Sequence, residues 1–407
     1  MTTGAISIRW ILISLLHALL LSVLTLIWMN LSWEFSDEVI VARINQIVRY
    51  EILNSEEPEV EFFKKELLCV NGSYDKTLVP YSDDSGEGWL PITDRRKMAA
   101  FLQIVAQAPI PPKLILVDYF FDYPTQEDSL LRHALALFPN VIISAQQDES
   151  GAMIRTWPEL KFALAQYATT TGTFLKYNIV KDSALFVPAA MYQLTHQVNF
   201  SEFAGLARSS NGWWLNSFMV DLPIRQSHLD HGDVLIWNLG DALTSYDARD
   251  VQEIVAGKII LLGDFRKYDE HETLLGKQPG PLIVANAYLS LLKGVPRLYF
   301  IDFLFVFLLY FIASMYVFIW RSQREQIVTS SLYRWRVGKV MLKYLTYVVL
   351  FSLYSIFLYL LTSRHFQLLL FAIYFNILEF GMDRHRQNIE LKKITQEMES
   401  QHTHSID

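Results

Sequence analysis

Asp269 and His271 sit two residues apart in a polar stretch that follows the apolar run 257–265 (GKIILLGDF), and they are the strongest chemical candidates in the 407-residue sequence. Asp264 and Glu272 add carboxylates on either side, while Asp118 and Asp122 close a second apolar run, 113–121 (KLILVDYFF). An Asp-x-His step offers one oxygen and one nitrogen, a pair that can ligate a divalent metal. Because imidazole titrates near neutrality, the same step can also act as a pH-responsive switch. The plainer use of such residues is to hydrogen-bond a loop to neighbouring backbone. Asn286 lies in an apolar stretch where a buried amide needs partners at both ends, so it reads as a residue that locks a loop to a helix.

Sharper catalytic patterns are absent from the sequence. It contains no Gly-x-x-x-x-Gly-Lys-Ser/Thr phosphate loop, no nucleophile elbow, no His-Glu-x-x-His and no Gly-x-Gly-x-x-Gly. A single cysteine, Cys69, excludes an internal disulfide and a thiolate zinc cluster. The expectation is therefore a non-enzyme with no catalytic, cofactor-binding or metal residues, in which Asp118, Asp122, Asp264, Asp269, His271 and Asn286 are candidates for a ligand site or switch.

These residues need strands and helices to place them. The run 113–121, bracketed by Pro111, Pro112 and Pro124, suits a strand buried on both faces. Thr125 with Asp128 three residues on has the form of a capping box, and Leu130, Leu131, Ala134, Leu135 and Phe138 continue at helical spacing. A second short strand follows at 141–145, which completes a βαβ unit and predicts a parallel pair. The pattern recurs near 257–292: a buried strand, a polar loop to Gly280, then a helix with Pro281 in its first turn. Further helices are predicted at 37–52, after Thr93 as N-cap, and at 157–168, with a strand near 234–239. Both carboxylate groups then fall beyond strand ends, where open α/β sheets place their ligands.

Four apolar runs frame this polar middle: 8–29, 299–320, 340–361 and 366–380. A spanning helix needs about 20 apolar residues, which the first three provide and the fourth approaches. The first run lacks a small-x-small cleavage pattern and reads as a retained anchor rather than a signal peptide. Arg9, the group Arg321, Arg324, Arg334, Arg336 and Lys339, and the group Arg384, Arg386, Lys392 and Lys393 flank the runs. Such short cationic segments stay on the cytoplasmic side. The expected layout is a cytoplasmic start and first span (1–32), an extracytoplasmic α/β domain (33–297), three spans (298–381) with a basic loop (321–339), and a cytoplasmic tail (382–407) that is either helical or frayed. The fold class is α/β, a largely parallel central sheet with flanking helices, plus an all-α membrane part of four helices. The net charge of −7 and acidic stretches such as Glu56, Glu57, Glu59 and Glu61 argue against a nucleic-acid partner.

This order of pieces resembles the CHASE2 family of bacterial extracytoplasmic sensory domains. Trp89-Leu90-Pro91 followed by Arg95 or Arg96 is similar to the family's Trp-Pro-x-x-Arg segment. Leu116 to Phe121 with Pro124, Glu127, Asp128 and Leu131 resembles its Asp-x-x-Phe strand, turn and acidic helix start. The longest match is Gly257 to Gly263, Asp269-x-His271, Pro279-Gly280, Ala285-Asn286-Ala287 and Leu291-Leu292-x-Gly294, although Asp264-Phe265-Arg266 replaces the family's Gly-Ala-Thr-like segment.

The resemblance implies an inner-membrane sensor or receptor subunit, a homodimer by family analogy, that signals across the membrane. Family members normally carry an output domain after the last span. Only about 25 residues follow it here, too few for a folded catalytic domain, so a separate effector protein is the expected partner. Two other functions are weighed: a constitutive scaffold subunit of a membrane complex, and an extracytoplasmic metal-dependent hydrolase using Asp118, Asp269 and His271.

Overall fold

The computed structural model describes residues 8–33, 36–83, 86–167, 169, 172–266, 269–320 and 336–404. The chain divides into two compact units, Asn30–Leu298 and the combination of Met1–Met29 with Tyr299–Asp407.

In the first of these units the chain begins with α2 (Ser36–Gln46), continues as a π-helical segment Ile47–Ile52, and passes through α3 (Glu57–Glu66) into β1 (Leu67–Asn71). The hairpin β2 (Lys76–Asp83) and β3 (Gly86–Thr93) leads to α4 (Arg95–Val105). Next come β4 (Leu114–Asp118), α5 (Asp128–Ala136), β5 (Val141–Ala145) and β6 (Phe162–Leu164). After α6 (Val187–His196), a three-stranded antiparallel sheet over 201–214 and α7 (Gln226–Asp230), the chain forms β7 (Ile236–Asn238), α8 (Leu239–Thr244), α9 (Ala248–Val255) and β8 (Ile259–Gly263). A second hairpin, β9 (Glu270–Thr273) and β10 (Gly276–Pro279), ends in α10 (Gly280–Leu292).

Six strands form one sheet in the order β7-β1-β8-β4-β5-β6, with every pairing parallel. Alternation of side chains across it explains why its central strands are apolar at nearly every position. Leu68, Val70, Ile115, Val117, Ile260 and Leu262 pack with α4, α5, α8 and α9 on one face. Leu67, Cys69, Leu114, Leu116, Ile259 and Leu261 pack with α3, α6 and α10 on the other. This is a doubly wound α/β architecture. From β4 the chain leaves toward the α5 face, whereas from its neighbour β8 it leaves toward the α10 face. The carboxyl ends of β8 and β4 therefore mark a topological switch point, the crevice where such folds bind ligands.

Local chemistry fixes the ends. Asp94, one residue beyond the predicted Thr93, caps α4 by accepting from the Arg96 and Lys97 amides at 2.9 and 3.1 Å. The predicted capping box at Thr125 is not formed: α5 has Glu127 at its N-cap with no side-chain cap, and the Thr125 hydroxyl donates instead to the Asp128 carboxylate at 2.6 Å. Arg95 is 3% exposed; it pairs with Asp128 and donates to the Tyr123 carbonyl, so it pins the turn that follows β4. Its neighbour Arg96 is exposed and pairs with Glu127 at 3.1 Å.

Three expectations need correction. The predicted helix at 157–168 is instead a turn ending in β6: the Ile143 amide bonds the Lys161 carbonyl at 2.9 Å and Ala165 bonds Ala145 at 3.0 Å. An open sheet edge at β5 recruits this segment, and that long-range demand overrides its local helical spacing. The polar loop before Gly280 is the β9–β10 hairpin, its reversal made by Gly276 at φ +93°. Of four expected spans, two helices are long and apolar enough among the described residues, α1 (Ile8–Met29) and the helix starting as α11 (Phe300–Met315) and running to Ile319. The third run lies in α12 (Arg336–Thr362), whose described apolar part is Thr346–Thr362. The fourth opens α13 (Leu369–His404), which continues without a break into the charged tail. Residues 321–335 of the predicted basic loop lie outside the described residues.

Within the helical unit several polar groups on apolar helices are paired. His17 Nδ1 meets the Ser314 hydroxyl at 2.8 Å, Thr25 meets Tyr310 at 2.7 Å, and Arg364 forms an ion pair with Asp302.

Candidate ligand site at the carboxyl edge of the sheet

Asn71, Gly263 and Asp118 stand side by side in register at the carboxyl ends of β1, β8 and β4. Gly263 is required by crowding: a Cβ there would lie 2.4 Å from Pro281 Cγ and 3.4 Å from Asp118 Cβ. The start of α10 is thereby brought against the strand end, and a cavity of about 500 Å3 opens beside it. Residues from β2, β4, the segment after β5, the loop around Tyr167, and the β8-to-α10 connection line it. Its size falls in the range typical of small-molecule sites.

One wall is a fixed polar network. Asp264, 5% exposed, accepts from the Ser73 hydroxyl and from the Arg266 amide at 3.0 Å, and lies 3.6 Å from Lys76 Nζ. Asn71 binds the neighbouring backbone together, accepting from the Ser73 and Phe265 amides at 3.2 and 3.1 Å. Asp264, Phe265 and Arg266 thus have their own structural partners.

The opposite wall carries a three-member relay. His271 Nε2 donates to Asp269 Oδ1 at 2.8 Å, and its Nδ1 meets the Tyr167 hydroxyl at 2.6 Å. The Asp269 carboxylate rests on the first residue of α10, so closely that a Cβ on Gly280 would fall 2.2 Å from Oδ2. Its bond to Asp269 holds the His271 imidazole above its ordinary range, outweighing the opposing effect of burial. When His271 is protonated both ring nitrogens donate, and Tyr167 must accept; when it is neutral with Nε2 protonated, the Tyr167 hydroxyl donates to Nδ1.

Asp118 differs from both walls. Its Oδ1 accepts from the Ser144 hydroxyl at 2.5 Å, and among the described residues no cation is paired with it. Burial, and after it the charge of Asp269, push its carboxyl up to about 7, against the lowering effects of Ser144 and His271.

Four of the six candidates named from the sequence therefore share this cavity: Asp118, Asp264, Asp269 and His271. Asp122 does not; it is exposed on the loop beyond β4. Asn286 is fully buried on α10, where its amide donates to the Ile224 carbonyl at 2.8 Å and to Leu282 at 3.0 Å, and accepts from the Ile224 amide at 3.1 Å. That satisfies both ends and locks α10 to the 224 segment. Lys76, Tyr119, Gln146, Gln166, Tyr167 and Tyr177 line the cavity without having been singled out. Only a polar, aromatic tract just after a short strand hinted at them. Among the described residues, no group of three or more His, Cys, Asp or Glu side chains could hold a metal ion.

The arrangement can bind and orient a polar small molecule and can shift a proton near neutrality. Comparison with protein-family models, curated proteins and solved structures yields no match.

Proposed function

We propose that residues 33–297 form an extracytoplasmic sensory domain of the CHASE2 kind, held in a bacterial inner membrane by α1 before it and α11 to α13 behind it. On this proposal both chain ends are cytoplasmic, and the signal passes to a separate effector protein. The observation that carries the reading is where the cavity lies. Its wall includes Gly280, Ile283 and Val284 of α10, and only residues 293–299 separate the end of α10 from α11. A ligand with different affinity for two placements of the Asp269–Gly280 contact would bias the helix that leads to the membrane segment.

The test has two parts. In spheroplasts, a membrane-impermeant maleimide should label Glu149→Cys, on an exposed turn, and should reach Gln396→Cys only after the membrane is opened. Native Cys69 is fully buried and should stay silent. Labelling in the reverse pattern refutes the topology. Second, the Asp269→Ala/His271→Ala double variant should lose output from the co-purifying partner while keeping its unfolding temperature. Equal loss of both would return these residues to a scaffolding role.

A further inference from the structure

Among the described residues, charge in the cavity does not balance. Three carboxylates line it, Asp118, Asp264 and Asp269, against two basic side chains, Lys76 and His271. Lys76 lies 3.6 Å from Asp264, and His271 bonds Asp269 at 2.8 Å. Among the same residues Asp118 has one neutral donor, the Ser144 hydroxyl. Other groups facing it across the cavity, Tyr167 and Tyr177, have their hydroxyls engaged by His271 and by the Ala165 carbonyl at 3.0 Å. A half-buried carboxylate facing a cavity with no cation beside it is poorly compensated, and a ligand of opposite charge would supply one.

We infer, building on the sensor reading, that the cavity binds a small organic cation bearing one ammonium or substituted ammonium group, with Asp118 as its counter-ion. The remaining lining suits such a molecule. Tyr119, Phe120 and Tyr167 supply aromatic surface of the kind that attracts cations, and Ala165, Ile283 and Val284 supply aliphatic surface for its carbon skeleton. An anion is disfavoured on two counts. It would face a surplus carboxylate, and the start of α10, which would otherwise attract it, is already covered by the Asp269 carboxylate against Gly280.

Binding is coupled to a proton. Asp118 must be ionised to meet the cation, so a ligand that enters when the carboxyl is protonated displaces that proton to solvent. Affinity then rises with pH through the range in which Asp118 titrates and levels off above it.

Calorimetry on the full-length, detergent-solubilised chain tests this with four probes: choline, ethanolamine, acetate, and 3,3-dimethylbutan-1-ol, the uncharged isostere of choline. At pH 8 one or both cations should bind, the alcohol at least about tenfold more weakly and acetate not at all. The Kd for choline should rise about tenfold per pH unit below 7. Asp118→Asn should weaken binding on the order of 100-fold, with an unfolding temperature no lower than that of the parent. The pH series on the unaltered chain probes the same carboxyl without any variant. If neither cation binds, if the alcohol or acetate binds as tightly, or if choline affinity is flat from pH 5.5 to 8, the inference is overturned. The sensor reading has a separate point of failure, the labelling of Glu149→Cys from outside, so the two can fall independently.

Discussion

Glu38 and Asp118 are both enclosed carboxylates of the same domain, yet their surroundings are opposite. Glu38 lies 2.8 Å from Lys176 Nζ, and that ammonium also donates to the Leu31 and Trp33 carbonyls at 3.1 and 2.9 Å. Both side chains are almost inaccessible, and the contact fastens the entry of the chain to the strand at Lys176–Asn178. Among the described residues Asp118 has a single hydroxyl donor, with a cavity in front of it. The first site is finished by the protein itself. The second is the one for which we propose a ligand.

The largest effect should come from breaking the finished pair. Lys176→Ala removes the cation paired with a buried carboxylate and should cost about 3–5 kcal/mol, read as a lowered unfolding temperature by tryptophan fluorescence. A Glu38→Leu/Lys176→Met double variant should recover most of it; if it is as unstable as the single variant, the pair is not the cause. Next comes Asn286→Ala, which strands the Ile224 amide and carbonyl inside the core. A loss of about 1–3 kcal/mol is expected, with ligand affinity unaffected because Asn286 does not line the cavity.

At Asp118 the sign reverses. Its folded value, raised to about 7 from an ordinary 3.8, means the fold prefers the protonated form. Stability from this source is complete below the ordinary value and is lost as pH rises toward 7. The raised His271 adds a contribution in the same sense, lost as pH climbs above its ordinary 6.5. The ligand-free protein should therefore unfold at a lower temperature at pH 8 than at pH 5. Asp118→Asn should flatten that slope and stabilise the pH 8 form by on the order of 1–2 kcal/mol. A slope unchanged by the substitution would contradict the assignment. Smallest of all, Asp122→Ala on the exposed loop should move stability by less than about 0.5 kcal/mol, and should leave choline binding as it was.

What the sequence made legible follows a physical division. The strands β4, β5 and β8 were readable because a strand buried on both faces must be apolar throughout, and turn residues bracket each run. The same reasoning placed Asp118 at a strand end and Asp269 beyond one. The β9–β10 hairpin was hidden because its strands are polar and half exposed, so His271 looked like part of a loop. Lys76, Tyr167 and Tyr177 stayed invisible as site residues because the distances that unite them with Asp118 are set by the winding of the sheet, which no local period encodes. The segment at 157–168 shows the opposite failure, a strong local signal overruled by an unpaired edge.

Every residue of α10 from Pro281 to Leu291 is buried, so the helix has no wet side. A rod gripped all round cannot bend or roll without opening voids in close-packed surroundings, and such surroundings yield in steps rather than smoothly. Pinned as well through Asn286 to the 224 segment, the helix can shift only as one stiff piece together with what grips it.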